Sequence, residues 1–382
     1  MPELLIHAAR LVDAQTDGAG WLQTDGARIV ARGEGEPPRP PDLRLDLVLP
    51  AFVDIHTHGG CGIDFGGVGV NPEPAIGHHH RNGSTTIEAT IATGTPEAMK
   101  TRIRELASYV ATGDLVGIHL EGPWLAPARK GAHDLSLLRT PEPAEVMDLI
   151  EAGAGAVRMI TIAPELPGAI ESIRAMVAAG VVAALGHTAA DASTVRRALD
   201  AGATVVTHMF NGMQPIHHRE VSLPGVALTD PRLWVELIAD GEHVGDDAVD
   251  LVVQSAAQRL LLVSDAMAAT GLGNGEYVLA GSLVRVQGGV ARLVEGDSLA
   301  GSTSLIRDAV QRLLGRGIGY ADIVRWTSTN PAAVLGIEVP KLQPGDRADL
   351  VGLSGGRLTR VLRGGVQLEP TSDSFDKEGI HP

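Results

Sequence analysis

Between residues 50 and 265 short apolar, β-branched runs recur at intervals long enough to hold a helix, and each reads as a buried parallel strand. The runs are AFVDIHTH (51–58), STTIEATIAT (84–93), LVGIHLEG (115–122), VRMITIAPE (157–165), VVAALGHT (181–188), TVVTHMF (204–210), LWVELIADG (233–241) and LLVSDAM (261–267). Alanine-rich helical segments lie between them, such as AIESIRAMVAAG and DASTVRRALDAG. The second opens with Asp191 as N-cap and closes at Gly202. Eight strands alternating with helices predict an α/β fold, a (β/α)8 TIM-type barrel. An open doubly wound sheet is the competing arrangement, but the switch-point glycine motif it normally carries is missing.

The pattern changes at both ends. ELLIHAARLVDAQTD, GWLQTDGARIVARG and LRLDLVLP alternate with a period of two between Gly/Asp turns, and GDRADLVGLSGGRLTRVLRGGVQL does the same near the C-terminus. Residues 1–49 and 340–382 are therefore expected to form one small β-sandwich domain, with 50–339 as the barrel. A β-hairpin insertion near 276–296 interrupts the barrel, and the polar tail from about Glu369 is expected to be loose.

Composition supports this layout. Hydrophobic residues make up 44% of 382 positions but aromatics only 3%, so the core must rest on Val, Leu, Ile and Ala, as suits covered parallel strands. With 46 acidic against 31 basic residues the formal charge is −15, which argues against nucleic acid or an anionic membrane as partner. An anionic substrate would need a local basic pocket built from Arg or His, because lysine occurs only at 100, 130, 341 and 377. The single cysteine, Cys61, allows neither an internal disulfide nor a thiolate metal cluster. The N-terminus lacks a signal-peptide pattern and no apolar run is long enough to span a bilayer, so a soluble, cytoplasmic protein is expected.

Active sites of such barrels sit at the C-terminal ends of the strands. His56 and His58, two apart on the first barrel strand, point to one side and can share a cation. Glu121 ends the third strand, His187 the fifth and His208 the sixth. Four imidazoles and a carboxylate on four strand ends match the ligand set of hydrolytic zinc and of ferrous iron. His119 faces the same way as Glu121 but one layer deeper, and reads as a hydrogen-bonded core residue. Asp265, on the eighth strand, is placed to take a proton from activated water and return it to a leaving amine. No lysine falls on a strand, so a carbamylated lysine cannot bridge two metals, and Glu121 is the one candidate bridge. The run His78, His79, His80 reads as a partly exposed helix face, and Cys61 as a small loop residue.

The ordered motifs HTHGG (56–60), HLEGPW (119–124), KGAH (130–133), APE (163–165), GHT (186–188), THMFNGM (207–213), ADGEHV (239–244), SDAM (264–267), LAGS (299–302) and NPA (330–332) resemble the N-acetylglucosamine-6-phosphate deacetylases of the amidohydrolase superfamily. The resemblance runs essentially the whole chain. It implies Glu121, His187 and His208 as the shared metal ligands, His56 and His58 as the pair holding a second metal when present, and Asp265 as the catalytic acid/base. Ala132, His133, Asn211, Gly212, Arg219, His243, Leu299, Ala300 and Gly301 are implied as substrate contacts, with Arg219 and His243 on the phosphate, partly across a homodimer interface. One or two divalent metals per subunit are implied, Zn2+ foremost, with Fe2+, Co2+ and Mn2+ open. The expected reaction removes acetate from N-acetyl-D-glucosamine 6-phosphate, in amino-sugar catabolism and cell-wall recycling. Alternatives are N-acetylgalactosamine 6-phosphate, an N-acyl amino acid, or a metal-binding protein without catalysis. One departure from the family pattern, FNGM in place of the usual FNAM, puts Gly212 where alanine is common.

Overall fold

A computed structural model describes residues 3–371, and the proposed loose tail falls largely outside them. The chain divides into two compact units. One combines the N-terminal segment up to Asp54 with Gly77–Thr86 and the segment from Leu305 onward; the other holds Ile55–Ile76 and Ile87–Ser304.

The first unit is built on β1 (Leu4–Val12), β2 (Asp17–Asp25), β3 (Arg28–Glu34) and β4 (Leu43–Pro50), joined by three strands from the far end of the chain. Alternation along these strands buries one face, and Ile6, Ala8, Leu11, Leu22, Ile29, Val48, Leu350 and Leu362 meet in its core. The segment 305–339, which the sequence pattern assigns to the barrel, packs in this unit. Its Tyr320 ring lies 4.6 Å beneath the Arg10 guanidinium of β1. The histidine run also belongs here, and its expected exposure is corrected. His78, His79 and His80 are 4%, 0% and 6% exposed, near the end of the helix Glu73–Arg81. A polar run at a helix end reads as surface in the sequence, but this helix is covered around most of its last turn.

The eight expected barrel strands are all present: β5 (Phe52–Thr57), β8 (Ser84–Ala92), β9 (Gly117–Glu121), β10 (Val157–Ile162), β11 (Val182–Leu185), β12 (Val205–Val206), β13 (Trp234–Leu237) and β14 (Leu260–Leu262). A short ladder of β6 (Gly59–Gly60) and β7 (Ile63–Asp64) follows the first of them. The barrel strands are hydrogen-bonded in sequence order from β5 and β8 through to β14. Where β14 ends, Asp265 N–H donates to the His56 carbonyl at 2.9 Å, and a parallel bridge joins Thr57 to Ala266. Those two links draw the last strand end to the first.

Local sequence sets the crossovers. The helix Pro96–Thr112 starts with the Thr95 side chain accepting from Ala98 N–H and proline in its first turn, and stops at Gly113 in the left-handed region. Asp191 caps Ala192–Asp200 as expected, accepting from Thr194 N–H at 2.8 Å, with Gly202 at φ +106° just beyond its end.

The insertion is three-stranded, not a simple hairpin: β15 (Gly275–Leu279), β16 (Ser282–Gln287) and β17 (Val290–Leu293) form a meander. Gly288 and Gly289, both at positive φ, make the tight second turn that the sequence reading passed over. The meander buries Leu279, Val284, Val286 and Leu293 with Ala132, Met267 and Ala300. The strands β18 (Leu350–Ser354), β19 (Arg357–Arg363) and β20 (Val366–Leu368) complete a single seven-stranded terminal sheet, ordered β20-β19-β18-β4-β1-β2-β3. Bonds from Ile29 N–H to the Asp346 carbonyl and from Ala348 N–H to the Ala27 carbonyl bring the β2–β3 turn back onto the approach to β18, so this one sheet wraps its own core.

Candidate metal and catalytic site

Parallel strands that end together set their last side chains around one mouth, and here those residues are ionisable. Glu121 lies at the centre. Its Oε1 is 2.8 Å from His208 Nε2 and 3.2 Å from His187 Nε2. Its Oε2 is 3.1 Å from His58 Nε2 and 3.3 Å from His133 Nε2. Asp265 Oδ1 is 3.2 Å from His58 Nε2 and 3.5 Å from His56 Nε2. Two neighbouring sets of ligand atoms result, His56/His58/Asp265 and Glu121/His133/His187, each gathered within 4.8 Å. All six side chains are buried.

The donor set fits a divalent cation. His187 and His208 bring their Nε2 atoms to 3.1 Å, and His56 and His58 bring theirs to 3.4 Å. Imidazole nitrogens aimed at one another across a carboxylate direct several lone pairs into one small volume. A cation accepts all of those lone pairs, whereas protons can satisfy only some of them.

Backbone strain marks the same positions. His187, His208 and Asp265 have φ of 44°, 27° and 49°, a region that side chains with a Cβ rarely adopt. Such strain persists only where surrounding structure holds it, and it concentrates at functional sites. The restraints are visible here. His187 Nδ1 is bonded to the Arg129 carbonyl at 2.7 Å, and His208 N–H donates to Glu236 Oε2 at 3.0 Å.

Charge follows from this crowding. Burial opposes ionisation of Asp265, but the His58 hydrogen bond and the His56 field hold its carboxyl well below the usual range. Burial likewise opposes a charged His58, yet its bonds to Asp265 and Glu121 raise it to about 9. His133 goes the other way: burial outweighs Glu121 and lowers it to about 4, leaving a neutral ring at pH 7. Its Nδ1 is 2.8 Å from Thr93 Oγ1.

His119 lies below this cluster, as expected. Its two ring nitrogens are 3.2 Å from Thr90 Oγ1 and 2.8 Å from Thr161 Oγ1, and Thr161 continues to Thr207 at 2.8 Å. Both nitrogens are thus engaged in a polar belt across the barrel.

Above the cluster opens a cleft of about 580 Å³. Ala132, His133, Asn211, Gly212, His243, Leu299, Ala300 and Gly301 all line it, together with Leu279 and Leu293 of the meander. His243 Nδ1 bonds Asp240 Oδ2 at 2.8 Å; burial disfavours charge on His243, but that bond raises its pKa overall. Arg219 stands apart from the lining residues. It is exposed, with Nη1 2.7 Å from His218 Nε2.

The sequence profile of the amidohydrolase family matches residues 47–368. The chain belongs to that family. Amidohydrolase membership together with the His/Asp clusters implies a divalent metal. A solved N-acetyl-D-glucosamine-6-phosphate deacetylase variant from Mycobacterium smegmatis, in complex with N-acetyl-D-glucosamine-6-phosphate, is 41% identical with a TM-score of 0.93, covering 97% of this chain and all of that one. The N-acetylgalactosamine-6-phosphate deacetylase of Escherichia coli O157:H7 is 35% identical over 368 residues, 92% of this chain and 95% of its own. The human N-acetylglucosamine-6-phosphate deacetylase is 34% identical over 329 residues, 80% of this chain and 79% of its own. Among the described residues no helix is long and apolar enough to cross a membrane.

The sequence reading of this amidohydrolase missed two supports. Thr93 orients His133, and Glu236 bonds His56 Nδ1 at 3.0 Å. The available signal for Glu236 was a carboxylate set between Val235 and Leu237 on an otherwise apolar barrel strand.

Proposed function

We propose that this chain hydrolyses the acetamide of N-acetyl-D-glucosamine 6-phosphate to D-glucosamine 6-phosphate and acetate. The observation that carries the reading is an ionised, buried Asp265 at the floor of a cleft, within 3.5 Å of both His56 and His58 Nε2. His56, His58, Glu121, His187 and His208 would hold one or two divalent cations, and imidazole with carboxylate suits Zn2+. A cation there supplies a Lewis acid that lowers the pKa of water and stabilises developing negative charge.

The protein's own groups do the rest. Asp265 accepts the proton of the attacking water as the new C–O bond forms, then gives it to the nitrogen as the C–N bond breaks. Neutral His133, its Nδ1 held by Thr93, presents Nε2–H to the carbonyl oxygen where charge develops. Asn211, Gly212 and the 299–301 loop frame the sugar.

His243, favoured as a cation by Asp240, and Arg219, with its planar fork, serve the phosphate. Arg219 stands away from the cleft of a single chain, and a homodimer bringing it to a partner's cleft is part of this reading. So is a cytoplasmic setting, since a phosphorylated sugar does not diffuse across a membrane.

The test is acetate release from N-acetyl-D-glucosamine 6-phosphate, its galactosamine epimer and unphosphorylated N-acetylglucosamine, beside elemental analysis of the purified protein. The glucosamine phosphate is expected to have the highest kcat/KM. A higher value for the galactosamine epimer would move the assignment to the alternative sugar, and no acetate from any of the three would reject the deacetylase reading.

A further inference from the structure

Barrel strand β13 carries an ionisable residue that no step above uses. Glu236 is fully buried between Val235 and Leu237. A lone carboxylate in an apolar interior is costly, so its partners show what it is for. There are two. Glu236 Oε2 accepts from His56 Nδ1 at 3.0 Å and from the backbone N–H of His208, also at 3.0 Å. One oxygen thus grips a member of each set of ligand residues, the His56/His58 pair and the Glu121/His187/His208 group.

A neutral imidazole carries its single proton on one nitrogen, and a carboxylate beside Nδ1 keeps the proton there. The Nε2 lone pair of His56 is then turned towards His58 Nε2 at 3.4 Å, Asp265 Oδ1 at 3.5 Å and Glu121 Oε1 at 3.7 Å. Without the carboxylate the proton could sit on Nε2 and face those same groups, closing the position to a cation. The second bond restrains the backbone of His208, whose φ of 27° is strained.

We propose that Glu236 is the positioning residue that commits His56 Nε2 to a cation, so that the His56/His58/Asp265 set holds a second divalent ion. The inference rests on the cation-site reading given above. Carboxylates that orient metal-bound histidines contribute about 10- to 100-fold in metal affinity.

The test is cation binding, followed by Co2+ titration with its visible absorption bands and by elemental analysis after equilibration with excess Co2+. The intact protein is expected to take up two ions per chain. Glu236→Ala should retain the first ion and weaken the second about 10- to 100-fold. Glu236→Gln, which keeps volume and can still accept from Nδ1–H, should recover part of that loss and serves if the alanine variant does not fold. The Glu236→Gln change should also lose its effect on binding in a His56→Asn background, because it acts through that ring. Second-ion binding in both Glu236 variants equal to the parent, or an undiminished effect in the His56→Asn background, would overturn the inference. So would a parent protein limited to one ion under excess. A parent that binds no divalent cation would instead overturn the cation-site reading itself.

Discussion

The floor of the cleft and its rim are held by opposite means. At the floor, buried side chains are held from several directions: Glu121 alone has imidazoles of His58, His133, His187 and His208 within 3.3 Å. On the outer rim, clear of the residues that line the cleft, Arg219 is exposed, and among the described residues its hydrogen bonds go to neighbours in its own segment, His217 and His218. Buried charges cannot trade their partners for water, so each floor residue is fixed by the others. An exposed arginine can exchange partners freely and acquires a defined role only when a ligand or another chain orders it. Changes at the floor should therefore act on chemistry, and changes at the rim on substrate affinity.

The largest effect is expected at Asp265. Asp265→Asn keeps size but cannot accept a proton, so kcat should fall about 100- to 10,000-fold, the usual contribution of a general acid–base group. Elemental analysis should still find at least one metal ion per chain, as expected if Glu121, His187 and His208 hold it without Asp265. A variant with kcat within a few-fold of the parent would remove Asp265 from proton transfer and break the assignment of chemistry to the floor.

At the rim the expectation is smaller and different in kind. Arg219→Ala should raise KM for the phosphorylated sugar about 10- to 100-fold, the range for losing a charge-assisted hydrogen bond. Turnover at saturation should stay near that of the parent, and kcat/KM for the unphosphorylated sugar should be unchanged. Equal losses on both sugars would show that Arg219 supports the loop and not the phosphate.

The same contrast explains what the sequence discloses. An apolar run ending in His or Glu is a local signal, so the eight strands and the residues at their ends can be read from the chain. Glu236 pairs with His56 across 180 positions, and no local pattern encodes that partnership. The positive φ of His187, His208 and Asp265 is equally hidden, since residue preference does not favour it and the bonds that restrain it, such as His187 Nδ1 to the Arg129 carbonyl and His208 N–H to Glu236 Oε2, join distant parts of the chain. In the meander, β17 follows the Gly288–Gly289 turn directly, and the pattern there reads as part of one hairpin instead of a third strand. At His78–His80 polarity misleads, because composition does not say what covers a helix end.

Gly212 joins the two regions, and its replacement is the finest probe of where floor becomes rim. It sits at φ +60°, and a Cβ there would lie 2.8 Å from Nδ1 and 3.0 Å from Cε1 of His187. The ring cannot simply retreat: Nδ1 is bonded to the Arg129 carbonyl, and a Cβ on Gly131 would be only 2.9 Å from Cε1. Nor is the loop free, since Thr188 N–H donates to the Gly212 carbonyl at 3.0 Å and Gln214 N–H to the Thr188 carbonyl at 3.1 Å. Gly212→Ala should therefore lower stability by about 1–2 kcal/mol, the cost of a Cβ in left-handed backbone, measurable as a shift in Tm. It should also displace His187, weakening first-ion binding a few-fold while leaving KM for the sugar phosphate nearly unchanged. The opposite result carries equal information. Unaltered metal affinity with a changed KM would show that the 211–214 loop yields and the ring does not, which would place Gly212 with the rim.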